Sequence, residues 1–328
     1  MFSKKMHLVI WGCLIVLSLM LAACNGGAAE YPDKTIKFFV GANAGGGTDI
    51  LARLLTAEME KELGESCVVV NKPGAAGQIS NLELANSKKD GYTLGFLTDF
   101  NTLVAMNTDE DLGYKLDDLE YICSINRSTN AIIIRKDFPG GETFEDFVKY
   151  ARENPGKVKI GHSAVGQALL INSLEEKAGI KLSPIMYNGG GNNYNALLGG
   201  HIDVAIIGTK FSAQAAEKGC TTLAVTSDKR IDILPEIPAL QEFGYDVVNN
   251  EITRIIVAPK GTPQEAIDKI RDTVKKVTAT DAFQKKLSEI NEVYEFRSGE
   301  SLMEIFNKKN DAIKAIVESN PELFKTSN

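Results

Sequence analysis

Apolar positions along the chain alternate between two spacings. Short apolar runs at 36–40, 66–70 and 92–97 read as strands, and stretches with apolar residues at helical spacing, 49–63 and about 79–85, lie between them. Alternation of this kind predicts a mostly parallel sheet with helices on both faces. Asn71-Lys72-Pro73-Gly74-Ala75-Ala76-Gly77 and Asp90-Gly91 supply turns. The next apolar run, 131–134, is closed by Lys136-Asp137-Phe138-Pro139-Gly140-Gly141, and a second alternating set begins. Its strands are expected at 158–160, 183–186, 204–207 and 222–225, its helices at 144–153, 168–178, 194–198 and 211–218. A last strand, 252–258, stops at Pro259-Lys260-Gly261-Thr262-Pro263. Helical sequence then runs from Gln264, with Ile267, Ile270, Val274 and Val277 on one face.

A mature chain of about 300 residues exceeds one core, so two domains are expected. The reading places them at 31–128 plus 252–328 and at 129–251. The C-terminal helices return to the first domain, and the runs 131–134 and 252–258 form the hinge.

The N-terminus changes where this molecule works. Lys4 and Lys5 precede an apolar stretch, 8–21, that is too short to span a bilayer and reads as a signal peptide, residues 1–23. Leu21-Ala22-Ala23-Cys24 resembles the lipobox of bacterial lipoproteins, which makes Cys24 the lipidated first residue and 24–30 a flexible tether. An ordinary signal peptide cut near Ala29 is the alternative. Cys13 leaves with the signal, and Cys67, Cys123 and Cys220 remain, an odd number with no metal-ligand spacing. Losing residues 1–23 removes two lysines and no acid, taking the net charge from −7 to −9. Nucleic acid is therefore disfavoured as a partner, and an anionic ligand must be held by local donors.

Such donors are concentrated in glycine-rich turns at the carboxyl ends of strands, where open α/β sheets bind ligands. The first turn runs Val40-Gly41-Ala42-Asn43-Ala44-Gly45-Gly46-Gly47-Thr48-Asp49. Consecutive glycines are unfavourable in a regular element, so they answer a need for backbone shape. A turn opening a helix aims unpaired N–H groups and the positive dipole end at one point, which suits a carboxylate or phosphate. A plain strand-to-helix turn, with Thr48 as N-cap and Asp49 in the first turn, accounts for the same residues. No Gly-Lys-Ser/Thr follows, and Ile50 stands where a dinucleotide fingerprint needs its third glycine, so nucleotides are disfavoured. Valine at Gly46 is expected to abolish binding by forbidding positive φ and by filling the anion's space.

The second domain offers Gly161-His162-Ser163-Ala164-Val165-Gly166-Gln167, then Asn188-Gly189-Gly190-Gly191-Asn192-Asn193, then Gly208-Thr209. An exported hydrolase fits poorly. Val165 breaks the nucleophile-elbow pattern, and only His162 and His201 survive signal removal. No residue spacing suggests a catalytic metal, and no cofactor is expected.

Tyr31-Pro32-Asp33-Lys34-Thr35-Ile36, Gly45-Gly46-x-Thr48-Asp49-x-x-Ala52-Arg53, Val70-Asn71-Lys72-Pro73-Gly74-Ala75-Ala76-Gly77 and Asp90-Gly91-Tyr92-Thr93-Leu94 together resemble the substrate-binding proteins of tripartite tricarboxylate transporters, the Bug family. Tyr187-Asn188-Gly189-Gly190, Leu197-Leu198-Gly199-Gly200-His201-Ile202-Asp203, Leu234-Pro235-Glu236-Ile237-Pro238 and Ala258-Pro259-Lys260-Gly261-Thr262-Pro263 extend the likeness over essentially the whole mature chain. The resemblance implies an α/β, two-domain, periplasmic-binding-protein-like (type II, venus flytrap) fold with a ligand cleft between the domains. It implies a receptor, not an enzyme, that captures a small organic anion (a mono-, di- or tricarboxylate) outside the membrane and hands it to permease subunits. The receptor is expected to be monomeric. A module signalling to a membrane sensor kinase is the alternative.

Carried onto this chain, the resemblance places the first ligand loop at Ala42, Asn43, Ala44, Gly45, Gly46, Gly47, Thr48 and Asp49. The second is Ser163, Ala164, Val165, Gly166 and Gln167, and Asn188, Gly189 and Thr209 form further wall. The three glycines are assigned as backbone donors, Thr48 and Ser163 as hydroxyl donors, and Asp49 as stabiliser of the helix start. Departures from the family pattern fall at Gly41-Ala42, Leu169-Leu170 and Thr253-Arg254. In the cleft, Arg254 would meet a second carboxylate through its guanidinium fork. A surface arginine on a hinge strand is the plainer reading.

Overall fold

The structure is a computed structural model and describes residues 31–108, 111–187, 189–245, 251–290 and 292–319. The signal peptide, Cys24, the tether and Asn188 lie outside the described residues.

The chain opens with β1 (Ile36–Val40), α1 (Gly47–Leu63), β2 (Cys67–Asn71), α2 (Gln78–Ala85), β3 (Thr93–Thr98), α3 (Asp99–Thr108) and β4 (Leu119–Arg127). It continues through β5 (Asn130–Ile134), α4 (Phe144–Glu153), β6 (Lys159–His162), α5 (Val165–Ala178), β7 (Ser183–Met186), α6 (Gly190–Leu198), β8 (Val204–Gly208), α7 (Ser212–Glu217) and β9 (Thr221–Val225). It closes with β10 (Arg254–Pro259), α8 (Gln264–Thr278), α9 (Asp281–Glu289), β11 (Val293–Ser298) and α10 (Gly299–Ser319).

These strands make two mixed sheets, ordered β11-β4-β10-β3-β1-β2 and β7-β6-β8-β5-β9. In the first, β1 runs parallel to β2 and β3, whereas β10 lies antiparallel between β3 and β4. One face packs Leu51, Leu55 and Met59 of α1 with Ile270 and Val274 of α8 and Phe283 of α9. The other packs Leu84 of α2, Phe100 and Leu103 of α3, and Leu302 and Phe306 of α10. The C-terminal helices thus cover the first sheet. The second sheet is covered by α4 and α5 on one face and by α6 and α7 on the other.

Most of the two runs expected to form the hinge lies in interior strands. β5 lies between β8 and β9, β10 between β4 and β3, and every residue of both is buried. Burial on both faces produced their continuous apolar runs. The chain passes between the sheets at the edge of these strands, where Ser128 and Ile252, the first residue of the expected run 252–258, exchange both backbone hydrogen bonds at 2.9 Å. This crossing adjoins the carboxyl ends of the parallel strands in both sheets. Arg254 pairs with Thr98 at the end of β3, and Asn130 pairs with Gly208 at the end of β8.

Three elements escape the sequence reading. α3 is rich in Asn and Thr, which are poor helix formers, and β4 ends in buried Asn126 and Arg127 and lacks two-residue alternation. β11 is a half-buried edge strand.

Candidate functional site

The first glycine turn leaves β1 and enters α1. Gly45 takes the left-handed conformation at φ +79°, whereas Gly46 is extended at φ −73°. The need for glycine through positive φ therefore falls on Gly45, and a valine at Gly46 would act only through space. Gly46, not Thr48, is the N-cap, so Gly47, Thr48 and Asp49 are the first three helical residues. Their N–H groups take no partner among the described residues, leaving free donors at the positive end of a 17-residue helix. Gly41 is fixed by another demand. A Cβ there would meet Gly77 Cα at 2.6 Å, because the loop after β2 crosses directly beneath.

Asp49 holds this turn in shape. Its Oδ2 accepts from the Gly45 amide at 2.9 Å and from Arg53 Nε at 3.0 Å, and its Oδ1 accepts from Asn71 Nδ2 at 2.8 Å. The same Asn71 nitrogen reaches the Ala42 carbonyl at 3.0 Å, which ties both ends of the loop to β2. The Arg53 hydrogen bond, helped by Gly45 and Asn71, outweighs burial and holds the Asp49 carboxyl down to about 2. With these donors on its carboxylate, Asp49 is a clamp for the loop. Thr48 is half-buried, with no hydrogen bond to its hydroxyl from the described residues.

The second turn is built the same way. Ala164 is the N-cap of α5, and Gln167 Oε1 accepts from the Ser163 amide at 2.7 Å and from the Ser163 hydroxyl at 3.3 Å. Gln167 Nε2 donates to Asn130 Oδ1 at 2.9 Å, at the start of β5 beside the crossing. Ser163 is thus engaged with its own helix, and the amides of Val165 and Gly166 take no partner among the described residues. Gly166 lies against the other half of the molecule, since a Cβ there would meet the Phe100 ring at 2.7 Å. Leu169 joins Phe100 and Leu103 in one buried cluster. The adjoining His162 imidazole is pushed down by burial, against a backbone hydrogen bond at Ala164.

Gly189, at φ +90°, is the N-cap of α6. Thr209 is buried, with its amide on the Thr129 carbonyl at 3.3 Å. Both turns border the strip next to the crossing. Arg254 Nη2 lies 3.8 Å from where a Gly47 Cβ would sit, Thr253 exchanges hydrogen bonds with Asp99, and Phe100 faces Gly166.

Arg254 departs from the surface arginine of the plainer reading. It is 7% exposed and ion-paired through Nη1 with Glu292 Oε1 at 2.7 Å. Arg53, Asn71, Asn130 and Phe100 were not singled out from the sequence as site residues. Arg53 and Asn71 sit inside motifs that carry the family resemblance, whereas nothing near Asn130 or Phe100 signals a role. Cys67, Cys123 and Cys220 are buried free thiols, and burial pushes Cys67 up to about 12. The described residues contain no cluster suited to a metal ion and no helix long and apolar enough to cross a membrane.

A model of the tripartite tricarboxylate transporter family receptor matches residues 51–320. The chain is 30% identical over 284 residues to the UPF0065 protein in the gbd 5′ region of Cupriavidus necator, covering 84% of each chain. Among solved structures, a TctC solute-binding protein from Polaromonas superimposes with a TM-score of 0.75 at 28% identity, over 88% of this chain and 99% of that one. R. palustris Rpa4515, solved with adipate, gives a TM-score of 0.70 at 27% identity, over 90% of this chain and 98% of that one. With two α/β sheets, a crossing between them and glycine turns facing it, this chain belongs to the tripartite tricarboxylate transporter receptor family.

Proposed function

We propose that this protein is an extracytoplasmic receptor that closes two domains, 31–128 plus 252–328 and 129–251, around a small organic carboxylate and delivers it to a tripartite membrane permease. The observation that carries this reading is the row of free amides on Gly47, Thr48 and Asp49, held in place by a clamp that uses Asp49 itself. An anion there gains charge-assisted hydrogen bonds from donors that need no rearrangement. The second loop, Ser163 to Gln167, adds amides from the opposite side as the domains turn about the Ser128–Ile252 crossing, and closure excludes water. Asn188, Gly189 and Thr209 complete the wall. Adipate in the R. palustris relative supports a carboxylate as the ligand class. Cys24 carries the lipid that keeps a monomeric receptor at the membrane.

A thermal-shift screen of the mature chain in detergent tests this function. Small mono-, di- and tricarboxylates are compared with sugars and nucleotides. A ligand that binds the native state raises the melting temperature by mass action, so a carboxylate response is expected and a response confined to uncharged compounds would overturn the reading.

A further inference from the structure

Arg254 begins β10 on the same face as Ile256, which packs in one cluster with Leu51 and Leu55 of α1. Its guanidinium therefore stands under the start of that helix, and Nη2 lies 3.8 Å from the Cβ position of Gly47. The fork is held from behind. Glu292 Oε1 takes Nη1 at 2.7 Å, Asn126 Nδ2 holds Glu292 Oε2 at 2.7 Å, and Asn126 Oδ1 accepts the Arg254 amide at 3.1 Å. Neither the buried Nε nor Nη2 has a hydrogen-bond partner among the described residues. A purely structural buried arginine would have its donors satisfied by the protein. Here one end of the fork is fixed and the other is left open toward a helix start whose amides are also free.

Resting on the receptor function above, we infer that Arg254 is a ligand-contacting specificity residue, with Nη2 taking an oxygen of the same carboxylate that the Gly47 and Thr48 amides hold. Amides at a helix start already favour a carboxylate over a carboxamide oxygen, through hydrogen bonds charged on one partner. A guanidinium fixed beside them favours the ionised group, because that hydrogen bond is then charged on both partners. The site selects carboxylates over the matching amides. Glu292 and Asn126 act as positioning residues that set the plane of the fork.

The test is calorimetric titration of the mature chain in detergent with succinate, adipate and citrate, each beside its full amide. Two variants are compared with the parent protein. Arg254→Gln combined with Glu292→Gln removes both charges and leaves no buried carboxylate unpaired, and Arg254→Lys keeps the charge without the fork. The parent is expected to bind at least one acid and to reject its amide. The double variant should lose roughly 10- to 100-fold in affinity for that acid and a matching share of its discrimination against the amide, the remainder being kept by the helix-start amides. The lysine variant should fall between the two. Parent-like affinity and discrimination in both variants, with binding still lost in Gly47→Val, would overturn the role of Arg254 and leave the receptor function standing. Failure of the parent to bind any of the acids would overturn both.

Discussion

The two loops that face each other near the crossing share one design and differ in one element. In each, the third residue of a helix reaches back to the amide just before the N-cap. Asp49 takes the Gly45 amide and Gln167 the Ser163 amide, and each side chain also engages an asparagine of a neighbouring strand, Asn71 or Asn130. The first clamp is ionic, with Arg53 supporting Asp49, while the second is a neutral amide. A carboxylate used up on the loop's own donors costs the anion little. With the ligand held as proposed above, a second carboxylate, at position 167, would face the same anion and repel it. The neutral clamp holds the second loop without adding negative charge to a chain whose net charge is already −7.

The largest effect is expected from filling the space that the first loop keeps open. A Cβ at Gly47 would meet only Arg254 Nη2, at an ordinary 3.8 Å, so folding should survive Gly47→Val, but the branched side chain would stand between the helix amides and Arg254. Losing several charge-assisted hydrogen bonds should weaken carboxylate binding by at least about 100-fold in calorimetry. Asp49→Ala comes next. It strands the Gly45 amide, Arg53 and Asn71 together and should destabilise the protein by about 2–4 kcal/mol in denaturant titrations, with an affinity loss of roughly 10-fold or more. Gln167→Ala should cost about 1–2 kcal/mol, because only neutral hydrogen bonds are lost. If Gln167→Ala proved as damaging as Asp49→Ala, the contrast between ionic and neutral clamps would fail. Gly166→Ala is the mildest change. Its methyl group would press on Phe100, and overpacking of about 1 kcal/mol should weaken binding several-fold, with Phe100→Leu in the same chain restoring it.

Acid should separate the loops as well. Asp49 binds its proton less readily in the folded protein than in the unfolded chain, so its contribution is complete above the ordinary carboxylate value of about 4. That contribution is lost as pH falls toward about 2, the value at which the clamp holds the carboxyl. His162 beside the second loop is also lowered. Its contribution is therefore complete above the ordinary imidazole value of about 6.5 and declines as pH falls below it. In unfolding experiments without ligand, His162→Gln should flatten the upper part of the pH profile. The stability gap between parent and Asp49→Asn should stay constant down to about pH 4 and close below it.

Both sheets were legible in the sequence because their central strands, β3, β5, β8 and β10, are buried over most of their length and write apolar runs. The first loop was legible because three glycines in a row have no propensity explanation. What stayed hidden depends on partners distant in the chain. Asp49 reads as a dipole-favoured acid until Arg53 and Asn71 are seen around it, and Thr48 reads as an N-cap because the extended Gly46 leaves no signal in its residue type. Arg254 reads as a surface charge, since only the fold brings Glu292 and Asn126 to its side. The crossing was legible only in part. An apolar run reports burial, so most of both runs are strand interiors, and of the crossing residues Ile252 begins the expected run 252–258 whereas Ser128 shows no such pattern.

The central claim is that the free amides at the start of α1 hold the carboxylate. The most direct measurement is the amide chemical shift of Gly47 and Thr48 in the isotopically labelled mature chain, followed as adipate, succinate or citrate is added. The account expects both amide protons to move downfield as a carboxylate saturates the site, and to stay in place when the matching amide is added. Saturable binding that shifts other residues and leaves these two unmoved would contradict it.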